Sequence, residues 1–183
     1  MRPARHETAR GAELAAAAEL RRLIERVDAH ARSAPPKAWC RRPTPEGWSA
    51  AECLEHLSLT AEAASRLLRA VPERTGRRLR GPSPRWWVRL FVRSLEPPPR
   101  LRTRTRAAFL PNGDVDAATA VVRFRLTHAV LAHDVTTIAA ADLHRVCVAS
   151  PFGPLSYTPL EWALVVAAHG RRHVWQAERV LDL

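Results

Sequence analysis

Residues 158–180, TPLEWALVVAAHGRRHVWQAERV, have the pattern of one long amphipathic helix. Thr158 can cap the first turn, Pro159 suits the first helical position, and Glu161 stands three residues after the cap. Apolar residues then recur at steps of three and four, which is typical of a helix with one buried face. The segment therefore predicts a helix from Thr158 to the C-terminus.

Two histidines lie on the apolar face of this predicted helix. His169 and His173 are four residues apart, so their imidazoles project from the same face, one turn from each other. At about 100° per residue the same stripe contains apolar residues and one amide: Trp162, Val165, Val166, Gln176 and Val180. The pattern predicts that both histidines face the interior of the protein.

A second helix has the same start signals. In GWSAAECLEHLSLTAEA, residues 47–63, Ser49 can act as the cap and Glu52 can reach back to the cap's backbone N–H. Both starts also have an apolar pair around the cap, Trp48 with Cys53 and Tyr157 with Trp162. We expect this helix to end near Val71–Pro72. His56 lies on its inward face, in a stripe with small and apolar residues: Cys53, Thr60, Ala63, Ala64 and Leu67.

Two more long helices are predicted, over Glu7–Ala31 and Asp116–Ala140. Apolar residues recur in both at steps of three and four, the spacing of a buried face. Pro35 and Pro36 end the first of them, because proline lacks the backbone N–H that a helix interior needs. Four long amphipathic helices favour one all-α domain over residues 1–183, a four-helix bundle of the up-down type.

The connections between these helices contain two further features. Residues 72–111 are rich in Arg and Pro and predict an excursion from the bundle between the second and third helices. Within it, PRWWVRLFVRSL (84–95) predicts a short helix. We expect its cations and its large apolar residues on opposite sides, Arg85, Arg89 and Arg93 against Trp86, Leu90 and Phe91. Before the last helix, LHRVCVASPFGPLSY (143–157) predicts a small two-stranded hairpin that turns at Gly153.

The composition limits the classes of protein. Hydrophobic residues make up 46% of the 183 residues, but no apolar run approaches the roughly 18 residues that span a bilayer. The N-terminal residues lack the apolar stretch and cleavage site of a secretion signal. Three cysteines without a CxxC pair argue against a disulfide framework and against a cysteine-based zinc site. We therefore expect a cytoplasmic protein with reduced thiols.

The net charge is strongly positive. Lys and Arg outnumber Asp and Glu by 29 to 18, and Lys37 is the only lysine. Such a charge can attract nucleic acid, an anionic membrane or an acidic small molecule. Because no helix-turn-helix or zinc-finger motif accompanies it, we interpret most of the excess as charge on solvated surfaces.

The three inward-facing histidines, His56, His169 and His173, form a candidate metal site. A buried polar group without a partner costs about a few kcal/mol, and one shared ion would satisfy three imidazoles together. Three neutral imidazoles with an open fourth position are a known arrangement for catalytic zinc. The alternative is that each histidine is an ordinary core residue bonded to a neighbour. The matching depth of all three favours the metal site.

The roles of three neighbouring residues stay open. His128, on the buried seam of the third long helix, can be a fourth ligand, a proton carrier or a packed residue, and we favour the last. Arg172 can attract an acidic ligand or be surface charge. Gln176 can orient a ligand, bond to the site or simply pack. The remaining histidines are interpreted as solvated: His6, His30, His133 and His144.

The segments 47–63 and 149–180 together resemble the DinB-like superfamily, which includes the YfiT-like proteins. The most specific features are the Trp-Ser start followed by His56, and the pattern H-x-x-R-H-x-x-Q at positions 169–176. The resemblance extends from about Thr44 to the end of the chain. It implies a four-helix bundle that holds zinc or nickel through three histidines, which here are His56, His169 and His173.

The resemblance also implies a class of reaction. Characterised relatives include thiol-dependent S-transferases and a mycothiol-dependent maleylpyruvate isomerase, in which the metal activates a low-molecular-weight thiol. We therefore expect a metal-dependent enzyme that transfers such a thiol to an electrophilic substrate.

Two other functions remain as alternatives. A metal-dependent hydrolase would need a base near the ion, and Glu52 and Glu161 have simpler roles as caps. A non-enzymatic protein could bind nucleic acid or an anionic membrane through the Arg- and Trp-rich segment 74–106, where Arg alternates with aromatic residues. Exposed apolar residues in that segment are also compatible with a homodimer.

Overall fold

The computed structural model describes residues 4–71, 84–98, 104–141, 143, 146–150 and 155–183, without the side chains of residues 4–7. These residues are mostly helical, which confirms the predicted all-α class. The helices are α1 (Ala4–Ser33), α2 (Pro36–Cys40), α3 (Ala50–Arg69), α4 (Trp86–Leu95), α5 (Ala117–Ala140) and α6 (Pro159–Leu181). A short 3-10 helix spans Ala107–Phe109, and two strands are β1 (Val148–Ala149) and β2 (Ser156–Tyr157).

Several predicted features lie outside the described residues. These are the side chain of His6, the arginine run of residues 72–83, residues 99–103, His144 and the hairpin turn at Gly153. No helix in the described ranges is both long enough and apolar enough to cross a membrane.

The four long helices pack around one core. Helices α1 and α3 each contact both α5 and α6. Large side chains from all four helices are fully buried: Leu20, Leu23, Leu54, Leu57, Phe124, Leu131 and Trp162. Each such side chain contributes about 1.5–3 kcal/mol through removal of its apolar surface from water. The core therefore fixes which face of α3 and α6 is turned inward.

Both predicted capping boxes are present. At the start of α3 the Glu52 backbone N–H donates to Ser49 Oγ at 3.2 Å, and the Ser49 N–H donates to Glu52 Oε2 at 2.8 Å. At the start of α6 the Glu161 N–H donates to Thr158 Oγ1 at 3.2 Å, and the Thr158 N–H donates to Glu161 Oε2 at 3.0 Å. These bonds satisfy N–H groups that a helix start otherwise leaves without partners.

Each capping glutamate also binds an arginine from outside its helix, which the sequence analysis did not predict. Arg42 Nε donates to Glu52 Oε2 at 2.9 Å. Arg85 Nε and the Arg85 backbone N–H donate to Glu161 Oε1 at 2.9 and 2.8 Å. Arg85 is the N-cap of α4, so this second pair connects α4 to the start of α6.

Helix α2 was not predicted. Pro36 was interpreted only as the end of the first helix, but it begins a new helix of five residues. Proline is tolerated at a first helical position because that N–H has no partner within the helix. Trp39 of α2 is buried in the core. The preceding helix also extends beyond its predicted limits, from Ala4 to Ser33.

Helix α4 packs against α6 through its apolar side. Val88 and Leu95 are its buried residues, and Trp86, Leu90 and Phe91, which were predicted to turn away from the arginines, are exposed. Because the buried face is set by packing on α6, the solvent side contains both kinds of residue: Trp86, Arg89, Leu90 and Arg93. Trp86 is 77% exposed.

The predicted two-stranded hairpin is present before α6. Strands β1 and β2 pair antiparallel, with Val148 opposite Tyr157. The Tyr157 ring contacts Trp162 of α6 and Trp87 of α4, with centroids 5.0 and 5.4 Å apart. The hairpin therefore packs where α4 meets the start of α6.

One glycine fixes a close approach of α1 to α6. Gly170 is buried, and a Cβ atom at this position would lie 2.6 Å from Leu23 Cδ1 of α1. Any side chain at 170 would force Leu23 to move. Gly170 directly follows His169, so this contact is at the level of the candidate site.

Candidate metal centre

His56, His169 and His173 converge at the contact between α3 and α6. One ring nitrogen of each lies within 4.8 Å of those of the other two. His56 Nε2 is 3.2 Å from His169 Nε2. Helix α3 contributes one imidazole and α6 contributes two, one turn apart, as their positions on the inward faces predicted.

The orientation of His56 is fixed by a backbone carbonyl. Its Nδ1–H donates to the carbonyl oxygen of Phe109 at 2.7 Å. With the proton on Nδ1, the neutral ring presents the lone pair of Nε2 to the other histidines. Phe109 lies in the 3-10 helix between α4 and α5, and its carbonyl carries no side-chain signature that sequence analysis could have used.

The orientation of His173 is fixed by a side chain of its own helix. His173 Nδ1 lies 3.1 Å from Oε1 of Gln176, an oxygen that only accepts, so Nδ1 carries the proton. His173 therefore also has its lone pair on Nε2. Of the open alternatives for Gln176, the structure supports a bond to the site.

Burial keeps the three imidazoles neutral. Loss of solvation lowers the pKa of His56, lowers that of His169 well below its usual value and lowers that of His173 to about 3. The charges of His173, His56 and Arg172 contribute to the lowered pKa of His169, and those of His56 and Arg172 contribute to the lowered pKa of His173. Neutral imidazole is the form that binds a metal ion, so protons compete little for these nitrogens near neutral pH.

The chemistry of this donor set fits a divalent ion. His56 and His173 each keep a lone pair on Nε2, and one ring nitrogen of each of the three histidines lies within 4.8 Å of the others. Bonding of the outer nitrogen to a carbonyl or amide oxygen is the usual way in which proteins orient metal-binding histidines. Three imidazoles suit zinc, nickel and related ions. The cluster is thus compatible with a divalent metal ion.

His128 has the contacts of a packed core residue. It is buried, its Nδ1–H donates to the carbonyl oxygen of Phe124 at 3.1 Å, and its ring lies against the Phe124 ring at 3.9 Å between centroids. Burial lowers its pKa to about 4. It is not part of the histidine cluster that the described residues form.

Of the remaining histidines, two have described side chains. His30 Nε2 lies 3.5 Å from Glu178 Oε1, and the side chain is 32% exposed, so it is a boundary residue and not a fully solvated one. His133 is exposed on α5, as predicted.

A cavity of about 480 Å³ adjoins the histidines. All three imidazoles line it, together with residues of α3, α4, α5, α6 and the chain near β1 and β2. Most of the wall is apolar: Leu57, Ala61, Trp87, Phe91, Leu95, Leu131, Trp162, Val165 and Val166. Three arginines also line the cavity, namely Arg104, Arg106 and Arg172. Burial lowers the pKa of Arg172 from its ordinary value.

No acidic side chain lines the cavity in the described part of the chain. Glu52 at the start of α3 and Glu161 at the start of α6 are both held in capping boxes. Arg42 also binds Glu52, and Arg85 binds Glu161. The structure therefore agrees with their interpretation as caps.

Comparison with known proteins gives one match. A family model described as the DinB superfamily matches residues 19–177, a range that includes the three histidines and the second half of α1. This range begins earlier than the resemblance at about Thr44 indicated. Neither the curated proteins nor the solved structures compared with the chain include a match. The family model covers most of the sequence, and the chain belongs to the DinB superfamily.

Proposed function

We propose that this protein binds a divalent metal ion through His56, His169 and His173 and transfers a low-molecular-weight thiol to an electrophile. The convergence of three imidazole nitrogens within 4.8 Å carries this proposal. A bound zinc or nickel ion would supply a Lewis-acidic position that lowers the pKa of a thiol ligand.

The chain's own residues prepare the site for that role. His56 and His173 hold their protons on Nδ1 in bonds to Phe109 and Gln176, so both rings keep Nε2 available and cannot turn freely. The rings are held between α3 and α6, which pack against each other directly. We take the four long helices as one bundle, because α1 and α3 each pack against both α5 and α6. Its up-down order stays a prediction from the sequence.

The cavity provides space for the reactants. Its volume of about 480 Å³ is in the range of small-molecule sites, and much of its wall is apolar. A thiolate and an electrophile held there would lie close together, which favours their reaction.

Hydrolysis at the same site is less well supported. A hydrolase would need a general base within hydrogen-bond reach of the attacking water, and the described residues that line the cavity include no carboxylate. Binding of nucleic acid or an anionic membrane, a homodimer and a cytoplasmic location all stay predictions from the sequence.

The proposal is tested by metal content and thiol transfer together. We expect the purified wild-type protein to contain about one zinc or nickel ion per chain, by the ligand count of such sites, and to conjugate a small thiol to an electrophile. His173→Ala should lose both properties. His133→Ala, which removes an exposed imidazole on α5, should keep both. A wild-type protein that transfers the thiol equally well after complete removal of metal would contradict the proposal.

A further inference from the structure

The cavity has an uneven distribution of charge. Arg104, Arg106 and Arg172 line it, and no Asp or Glu among the described residues does. Several arginines elsewhere in the described chain are paired with carboxylates, for example Arg26 with Glu178 at 2.6 Å. The described wall of the cavity therefore contains positively charged side chains and no negatively charged one.

Two adjacent arginines of α6 have different surroundings. Arg171 Nε donates to Glu96 Oε2 at 2.9 Å, and its Nη1 lies 3.7 Å from Glu19 Oε1, so it joins α6 to neighbouring segments. Arg172 lines the cavity with His169 and His173. It is half-buried. A guanidinium in such a place is well suited to a carboxylate or sulfonate, since charge-assisted bonds gain strength where water is scarce.

Helices α3, α5 and α6 also contribute an apolar surface to the cavity wall. Leu57, Leu131, Val165 and Val166 are buried side chains that line it. They offer contact to a hydrocarbon or aromatic body and no hydrogen bond to a polar one. A ligand that satisfies both parts of the wall must therefore be amphipathic.

We propose that this cavity binds an apolar organic anion, whose carboxylate or similar monoanionic group lies at Arg172 and whose apolar body lies against Leu57, Leu131, Val165 and Val166. The inference rests on the same cavity as the proposed function and specifies its ligand class: one of the two reactants, the thiol or the electrophile, carries the anion. Arg172 is the residue that selects it.

The test compares two probes with the same aromatic body. 8-Anilinonaphthalene-1-sulfonate carries one negative charge, and N-phenyl-1-naphthylamine is its neutral counterpart. Fluorescence titration of the full-length protein should give tighter binding of the anionic probe. In Arg172→Gln we expect its affinity to fall by about 10- to 100-fold, the range for loss of a hydrogen-bonded charge, with the neutral probe changed less than about twofold.

A matched variant controls for general charge. Arg93→Gln removes the same charge from the exposed side of α4, outside the cavity wall, and should bind both probes as the wild type does. Arg172→Lys should recover part of the anion affinity, because lysine keeps the charge but not the paired donors. Equal losses for both probes in Arg172→Gln, or equal losses of the anionic probe in Arg172→Gln and Arg93→Gln, would overturn the inference.

Titration of metal-free and metal-loaded protein separates the two proposals. If the protein fails to bind metal but the Arg172-dependent preference for the anion persists, the proposed function fails and the ligand class stands. If metal binding and thiol transfer are present but Arg172→Gln binds the anionic probe as the wild type does, the ligand class alone is wrong.

Discussion

Helices α3 and α6 start with the same capping box but are anchored over different distances. Glu52 of α3 binds Arg42, which is 10 residues away in the preceding loop. Glu161 of α6 binds Arg85, which is 76 residues away at the start of α4. The Arg85 side chain is also less exposed than that of Arg42, 27% against 45%. The first anchor is local and the second holds a distant segment in place.

The difference shows how the cavity is assembled. The segment held by Glu161 is α4, and its residues Trp87, Phe91 and Leu95 form part of the cavity wall. The same helix, α6, provides two of the three histidines. The start of α6 therefore supports two candidate ligands and the part of the cavity wall that α4 forms. The start of α3 supports only its own helix, which carries the third candidate ligand, His56.

The histidines of the two helices differ in another way. His56 on α3 donates to a backbone carbonyl, that of Phe109, whereas His173 on α6 bonds to the side chain of Gln176. A backbone carbonyl is present whatever residue occupies position 109. The support on α3 is thus insensitive to substitution, and the support on α6 is not.

We expect the largest effect when one candidate ligand is removed, either from α3 or from α6. His56→Ala and His173→Ala should each lower metal affinity by well over the roughly 100-fold that loss of a supporting hydrogen bond costs, because each leaves only two imidazoles. Competition with a chromophoric chelator measures the affinity, and His133→Ala is the control. If one variant retained wild-type affinity, the two helices would not share one ion.

Acidification should act next most strongly. The folded pKa values of His128 and His173 are about 4 and about 3, below the ordinary 6.5, so the unfolded chain binds more protons below that pH. The stability of metal-free protein should therefore be constant above about pH 7 and fall below about 6.5, by about 1.4 kcal/mol per pH unit for each buried histidine.

Urea titrations from pH 7.5 to 5 measure this dependence. His128→Leu should give a shallower slope by about one proton, and His133→Ala should leave the slope unchanged. Added metal should make the protein more stable at pH 7 and also at pH 5, because imidazoles with a lowered pKa leave few protons to compete with the ion. Stability that rises on acidification would contradict the neutral, buried state of these imidazoles.

Substitution of the capping glutamates tests the difference in anchoring directly. Glu161→Gln keeps a cap acceptor but leaves Arg85 without its carboxylate, and should lower the free energy of unfolding by about 3 kcal/mol, the low end for a broken buried pair. Glu52→Gln should cost less, because Arg42 can turn to water. Denaturant unfolding of both variants checks the order, and equal losses would show that the two anchors are equivalent.

The smallest effect concerns the bonds behind the histidines. Gln176→Ala should weaken metal binding by about 10- to 100-fold, since the His173 ring loses the partner of its Nδ1–H. Phe109→Leu is the matched change on the α3 side and should leave the affinity close to that of the wild type, because the carbonyl remains. A larger loss in Phe109→Leu than in Gln176→Ala would reverse the comparison.

Much of the fold could be predicted because its signals are local. Ser49 with Glu52, and Thr158 with Glu161, mark helix starts within four residues, and the structure contains both capping boxes. The face on which a histidine lies follows from helical periodicity, so the convergence of α3 and α6 residues could be expected. The superfamily was predicted from its motif and is confirmed by the family match.

The features that were missed depend on distant contacts. The Arg85–Glu161 pair joins segments 76 residues apart, and the buried face of α4 is decided by α6. The acceptor for His56 is a backbone carbonyl, which every residue possesses. Proline at position 36 is compatible both with the end of one helix and with the start of another. Sequence periodicity alone does not resolve any of these.

The close contact between Gly170 and Leu23 affects the interpretation of saturation mutagenesis in this protein. In a saturation library scored for activity, position 170 should be depleted of most substitutions, much as positions 169 and 173 would be, although glycine offers no donor atom. A map of tolerated substitutions would then group Gly170 with the candidate ligands, although Gly170 only allows α1 and α6 to pack closely. The double variant Leu23→Ala with Gly170→Ala should distinguish a packing role from a ligand role. The smaller side chain at position 23 makes room for the Cβ atom at position 170, whereas no such change replaces a missing imidazole.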